Sequence, residues 1–595
     1  MRRSRTVALT AAAAAAVLVV TGCSSDKKSD DPKSTATGSS AAGTGGATGA
    51  DAGTKGIVNA SDKKGGTVTY EMRGTPDSLD PGNTYYAYIY NFSRLYARPL
   101  TTFQPGAGAD GQKLVPDLAE SMGKPSADGL SWTYKLRAGL KYEDGTPITS
   151  KDVKYAVLRS NFAPEVNSNG PSYFKELLVD NDKPYEGPYK DKEGDLKSIE
   201  TPDDLTIVFH LKHAFADFDY LVSAPQTAPV PKEKDTGSTY VKHVMSSGTY
   251  KFESYEDGKQ AVLVPNTNWD KASDPIRKQL PDKIVLKMNI EQSTIDKDLL
   301  AGNAQVDLVG AGVDQQTQAK ILQDPKLKAQ TDNAFGGRLV YTAINSQVAP
   351  FDNVECRKAV QYAIDKVSVQ TAIGGPIRGA VANTVLPPDV PGHEDFNTYQ
   401  TKDNKGDEAK AKEALKACGK PDGFNTVLTA RTERAPEIAA ATSIQAALKK
   451  VGINAEIQQY PQGKYFSDHV GVPAFNKEKN IGLMMMQWGA DWPTGYGFLQ
   501  QITDGRAVKA SGNNNLAELN DPEVNKLLDE AAVNTDRAAR EKIYAQIDKK
   551  VMDSAVYVPL TYFKVFLYRP DSATNLVSTP AFSGEYDYLN IGSAK

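Results

Sequence analysis

The rhythm of apolar and polar residues changes several times along the chain. Behind Arg2, Arg3 and Arg5, the stretch from Ala8 to Val20 is predominantly apolar. It is shorter than the roughly 20 residues that cross a bilayer. A basic start before such a run reads as a signal-peptide core. From Ser24 to about Lys64 the residues are mostly Ser, Gly, Ala, Thr, Asp and Lys. Such a stretch has little apolar surface to bury against its ordering entropy, which predicts a flexible tether.

From Gly65 onward the pattern is that of a folded chain. Gly65 to Met72 alternates between glycines and predicts a strand, as do Trp132 to Leu136 and Leu205 to Leu211. Lys151 to Arg159 places Val153, Ala156 and Val157 at helical spacing, with Thr149 or Ser150 as the cap. Thr426 to Thr429 predicts a strand. Pro436 to Lys450 predicts a helix with Ile438, Ala441, Ile444, Ala447 and Leu448 on one face. Gly452 stands where a helix-ending glycine is expected, and Ile453 to Gln459 predicts the next strand. That order is a βαβ unit, expected to be parallel with a right-handed crossover. Ile481 to Met486 is apolar throughout and predicts a strand buried on both faces. No fixed-period repeat occurs, which argues against solenoids and propellers.

Composition narrows the class. The chain has 595 residues and a formal charge of −4. Removal of the basic leader makes the remainder more acidic, so nucleic acid is not an expected partner. The three cysteines are Cys23, Cys356 and Cys418. Cys356 and Cys418 lie far apart in helix-like segments; two buried free thiols are the plainer reading and pairing stays open. The five histidines form no HExxH, and neither a GxSxG elbow nor a Walker loop is present. Asp180-Asn181-Asp182 begins like a calcium loop but lacks the glycine and glutamate such a loop requires. No metal, cofactor or enzymatic activity is expected, and an exported hydrolase is the weaker rival.

Several segments carry a family resemblance. Val20-Thr21-Gly22-Cys23 closes the apolar run and looks like a bacterial lipobox, which implies cleavage before Cys23 and lipidation of its thiol. Ser78-Leu79-Asp80-Pro81, Val115 to Ser121, Leu136 to Val153, Ser247-Gly248-Thr249-Tyr250, Pro350 to Val354 and Arg357 to Lys366 follow in order. Together these closely resemble the large solute-binding proteins of ABC importers for oligopeptides, dipeptides and nickel, family 5. The resemblance implies a two-lobed α/β fold of the type II periplasmic-binding-protein class, with an extra subdomain. It places a signal peptide at 1–22, the tether at 23–64, lobe one at 65–105, 232–338 and 558–595, the extra subdomain at 106–231, and lobe two at 339–557. The ligand cleft lies between lobes, where pockets favour domain interfaces. The implied protein is a lipid-anchored monomer on the extracytoplasmic face of the cell membrane. Its partners are a small-molecule ligand, a short peptide above all, and the permease subunits of an ABC importer.

The same resemblance nominates site residues. Gln487-Trp488-Gly489-Ala490-Asp491-Trp492-Pro493 matches the Trp-x-x-Asp of peptide binders, which assigns the ligand's free ammonium to Asp491. Trp488 reads equally as cleft wall or core. Backbone groups of Gln487 and Gly489 can pair with an extended peptide. Tyr85-Tyr86-Ala87 falls where the family's ligand-facing segment lies, or on a packed helix face, and Tyr173 loosely matches a cleft tyrosine. Met484-Met485-Met486 stands where oligopeptide binders often carry an arginine. These methionines read as an adaptable apolar floor or, better, as sheet core. Arg378, Arg431 and Arg434 are the candidate substitutes for that cation. The family also includes binders of metal chelates, sugars and other solutes, which leaves a non-peptide ligand as the alternative.

Overall fold

The computed structural model describes residues 48–166, 172–180, 183–192, 194, 196–432 and 434–595. The expected leader, Cys23 and most of the acidic run at 180–182 therefore lie outside the described residues. The strands predicted by alternation form. Thr67–Glu71 pairs in parallel with Lys283–Lys287 and Val306–Asp307, and Gln260–Pro265 and Tyr250–Glu256 complete a five-stranded sheet. Ser131–Lys135 and Thr206–His210 are the central strands of a four-stranded antiparallel sheet, flanked by Lys124–Pro125 and Ile199–Asp203.

A six-stranded sheet has the order Gly379–Val381, Tyr557–Tyr568, Thr331–Ile344, Ile481–Gly489, Phe424–Arg431, Ile453–Tyr460. Phe424–Arg431 and Ile453–Tyr460 are parallel, joined by the helix Ala435–Lys449. Gly452 sits at φ +88°, and a Cβ there would approach the Asp422 carbonyl oxygen at 2.7 Å, so only glycine turns the chain between helix and strand. Ile481 to Met486 is buried on both faces. Met484 and Met486 pack on one side and Met485 on the other, so these methionines are sheet core.

The strands Thr331–Ile344 and Tyr557–Tyr568 run antiparallel. Val565 and Leu567 belong to the hydrophobic core that also takes in the five-stranded sheet. Tyr557 and Tyr562 belong to a core on one face of the six-stranded sheet, and Val558 and Leu560 to the core on its other face. One long β-pair thus threads these interiors.

Two expectations are corrected. The tether does not extend to Lys64: the Asp51 amide donates to the Thr331 carbonyl, Val58 bridges to Leu576, and the Ser61 amide donates to Asn575 Oδ1 at 2.8 Å. Gly53 meets Asp332 so closely that a Cβ would lie 2.4 Å from its carboxylate, while the Gly53 amide donates to Asp332 Oδ1 at 2.8 Å. Small residues that predict a tether by composition are here the ones that fit a narrow notch.

The free-thiol reading also fails. Cys356 lies on the helix Val354–Ala363 and Cys418 follows the helix Glu408–Ala417. Their side chains form a disulfide across a separation of 62 residues. Ala359, Val360, Ala363, Ala411, Ala414 and Leu415 fill the core shared by these helices, which brings the distant cysteines together. Cross-linking a loop of this size restricts the unfolded chain and typically stabilises by about 2–4 kcal/mol. The Cys356→Ser/Cys418→Ser protein should lose stability of that order in urea titration, and reductant should have no effect on the variant.

Candidate functional site

The site starts from a buried ion pair beneath it. The helix Ser150–Phe162 begins with a capping box, in which the Thr149 amide donates to Asp152 Oδ2 at 2.7 Å. Its Arg159 reaches Asp80 at 2.6 Å and Asp235 at 3.0 Å, with all three side chains buried. Burial alone depresses the Arg159 pKa, and the carboxylates of Asp80 and Asp235 more than reverse it. Asp80 caps the turn Pro81–Asn83. Asp77 then accepts from Thr84 Oγ1 and from the Tyr85 amide, each at 2.7 Å. These bonds fix the path of the chain through Tyr85 and Tyr86 into the helix Ala87–Ser93.

Tyr85 and Tyr86 therefore precede the helix and are not a packed helical face. Tyr85 Oη donates to Asp491 Oδ1 at 2.5 Å, and Tyr173 Oη donates to Asp491 Oδ2. Burial, then the charge of Asp491, raises the pKa of both phenols well above the usual value, so both remain donors. Burial likewise raises the pKa of Asp491, and the two tyrosine hydrogen bonds offset part of that shift. No ion pair involves Asp491 among the described residues.

Asp491 lies on the wall of a cavity of ≈ 320 Å³. Of the residues nominated from sequence, Tyr85, Tyr86, Ala87, Tyr173, Gly489 and Asp491 line it together. Gln487 and Trp488 are not among the lining residues. Gln487 is held in the sheet opposite Val340. The Trp488 indole donates to the Phe498 carbonyl at 2.7 Å and packs against the hydrophobic core that holds Met484 and Met486. A strand alternates its faces, and this places Trp488 on the core face.

Sequence reading missed Trp492 and Arg338. Trp492 lines the cavity and meets the Tyr173 ring edge-on at 5.5 Å. Its indole donates to Asp217 Oδ2 at 2.8 Å, which also accepts from Thr494 Oγ1 at 2.7 Å, while Arg540 lies 3.3 Å from Oδ1. Arg338 also lines the cavity. The substitutes suggested from sequence are used elsewhere. Arg378 donates to the carbonyls of Ala311 and Val313, Arg431 pairs with Glu437, and Arg434 donates to Gln462. Asp389 is a further lining residue. Among the described residues its carboxylate forms no ion pair, and burial pushes its pKa up to about 6 against the opposing pull of nearby backbone amides.

Residues 113–509 match the model of the bacterial extracellular solute-binding proteins, family 5 Middle. The solved structure of clavulanic acid biosynthesis oligopeptide binding protein 2 superposes with a TM-score of 0.88 at 41% identity, covering 93% of this chain and 99% of that one. Haem-binding protein A of Haemophilus influenzae is 27% identical over 83% of this chain and 87% of its own length. The probable D,D-dipeptide-binding periplasmic protein DdpA of Escherichia coli is 26% identical over 82% of this chain and 86% of its own. Among the described residues, no helix is long and apolar enough to cross a membrane.

Asp217 connects the cavity to the helix Arg537–Asp553, and its side chain is buried. Removing one partner of a buried charge pair costs about 3–5 kcal/mol. Asp217→Ala should approach that loss in urea unfolding, and the tryptophan fluorescence should report the freed Trp492 indole.

Proposed function

The chain belongs to family 5 of the bacterial extracellular solute-binding proteins, and on that premise we propose that it captures a short peptide between its lobes for an ABC importer. Asp491 carries the reading. Its carboxylate faces the cavity with two neutral tyrosine donors and no cation. Taking a carboxylate out of water is costly unless a charge partner joins it. A peptide's terminal ammonium supplies that partner with charge-assisted hydrogen bonds. Relatives named for dipeptide and oligopeptide binding agree with a ligand of this kind.

In this proposal lobe one comprises residues 65–105, 232–338 and 558–595 with the extra subdomain at 106–231, and lobe two comprises 339–557. Lipidation of Cys23 holds the monomer at the outer face of the membrane, supported by the lipobox-like sequence behind a signal-peptide core. A second reading keeps the fold and changes the solute. It is favoured by the aromatic lining of Tyr86, Tyr90, Phe103 and Trp492 and by a relative named for haem binding.

Native mass spectrometry of the purified protein distinguishes the two by the mass of the ligand carried. Calorimetry tests the ammonium contact. N-acetylation of a bound peptide should cost about 3–5 kcal/mol, the range for breaking a buried ion pair, and Asp491→Ala should cost a similar amount. Equal affinity for the free and acetylated peptides would remove Asp491 from the role.

The contact should also depend on pH. Protonated Asp491 cannot pair with an ammonium. Because burial raises its pKa, affinity should begin to fall at a higher pH than an ordinary aspartate would give. Calorimetric titration through mildly acidic pH follows this loss, which should be absent in Asp491→Asn.

A further inference from the structure

Arg338 carries a charge that the fold itself does not use. In the strand Thr331–Ile344, Phe335 pairs with Lys564 and Leu339 with Tyr562, so Gly336, Gly337 and Arg338 together oppose the single residue Phe563. Such bulges bend a strand and re-aim its side chains, often beside binding sites. Gly337 sits at φ +59°, which glycine adopts without cost, and a Cβ on Gly336 would lie 2.9 Å from Phe563 Cδ1. The Arg338 guanidinium lies over the Phe563 ring, 5.6 Å from its centre. On its other side the register partner is Gly489, where a Cβ would approach Arg338 Cγ at 2.9 Å. Bulge, aromatic shelf and glycine notch together present one guanidinium at the cavity wall.

The surrounding charges leave it uncompensated. Glu585 is the carboxyl that acts on Arg338, but burial raises its pKa well above the usual carboxylate value, which weakens it as a counter-ion, and it forms no ion pair with Arg338 among the described residues. Neither Asp389 nor Asp491 forms an ion pair with Arg338, and its guanidinium donates no hydrogen bond among the described residues. Arg94, the other arginine at the cavity, is tied to Asp587 at 3.0 Å and to the Phe103 carbonyl at 2.5 Å. The planar fork of a guanidinium matches a carboxylate in two parallel hydrogen bonds. Asp491 and Arg338 thus give the cavity wall one acidic and one basic group. The cavity, at ≈ 320 Å³, lies at the small end of ligand pockets, which run to about 1,000 Å³.

We propose that Arg338 receives the carboxylate of the bound peptide, so that the cavity selects short peptides free at both ends. The assignment rests on the peptide reading of the site. The test is calorimetry with a panel of di- to pentapeptides, each as the free acid, the C-terminal amide and the N-acetyl form. The wild-type protein should bind the free acid at least about tenfold more tightly than the amide, the scale of a charge-assisted contact. Arg338→Gln should bring the acid down to the level of the amide. Arg338→Lys keeps the charge without the fork and should lose most of the discrimination. Equal wild-type affinity for acid and amide, with the N-acetyl form still rejected, would overturn the role of Arg338 and leave the peptide reading standing. Failure of every peptide to bind would overturn the peptide reading and this assignment with it. Should Arg338→Gln not fold, Arg338→Lys decides, since full wild-type discrimination in that variant also overturns the assignment.

Discussion

The antiparallel pairing of Thr331–Ile344 with Tyr557–Tyr568 is the constraint on which the rest of the molecule depends. At one end Asp332 is locked by Arg569, by the Tyr586 hydroxyl at 2.8 Å and by the Gly53 amide. Just beyond the other end, Asn345 donates to Glu518 at 2.8 Å. Between those fixed ends the pairing is irregular from Phe335 to Leu339. That irregular stretch borders the cavity. The geometry of this strand pair therefore also places side chains at the candidate site.

Electrostatic bookkeeping separates scaffold from site. Several buried acids of the scaffold have guanidinium partners: Asp80 and Asp235 share Arg159, Asp117 binds Arg98 and Arg277, and Asp587 binds Arg94. Breaking such pairs is expensive, so they hold segments such as the one leading to Tyr85 in place. The charged groups at the cavity are treated differently. Asp491 is held by neutral phenols, and Arg338 rests on an aromatic face. Asp491 and Arg338 have opposite charges, line one cavity and form no ion pair among the described residues, and the proposed peptide brings a complement to each.

Much of the fold was legible because local periodicity controls it. The helix at Ser150–Phe162, the βαβ unit around Ala435–Lys449 and the buried strand at Ile481–Gly489 all follow from spacing and end signals. The disulfide was not legible, because it depends on two helices packing across a sequence separation of 62 residues. The docked segment from Asp51 to Ser61 was missed because composition measures how much apolar surface a stretch can bury. It does not measure how well a glycine fits against Asp332. Part of the candidate site was named through the resemblance, and the structure brings Asp491, Tyr85, Tyr86 and Tyr173 to one cavity. Arg338 was not, since strand alternation assigns faces only while register holds, and a bulge changes the assignment. The one signal was the Gly336-Gly337 pair just ahead of the strand-like run Leu339 to Ile344, and paired glycines in a strand mark such a break.

Trp488 and Trp492 show the same limit at closer range. Four residues apart, both are tryptophans in one short motif, and composition cannot rank them. The difference is where the strand stops. Trp488 still belongs to the ladder opposite Leu339, so its face is set by the sheet and its indole turns to the Phe498 carbonyl. Gly489 is the last paired residue, opposite Arg338. Beyond it the chain leaves the sheet, and Trp492 is oriented instead by Asp217 and the edge of Tyr173. Gly489 therefore has two roles with one cause. The missing side chain makes room for Arg338, and the end of pairing releases the following residues, so that Asp491 can meet Tyr85 and Tyr173.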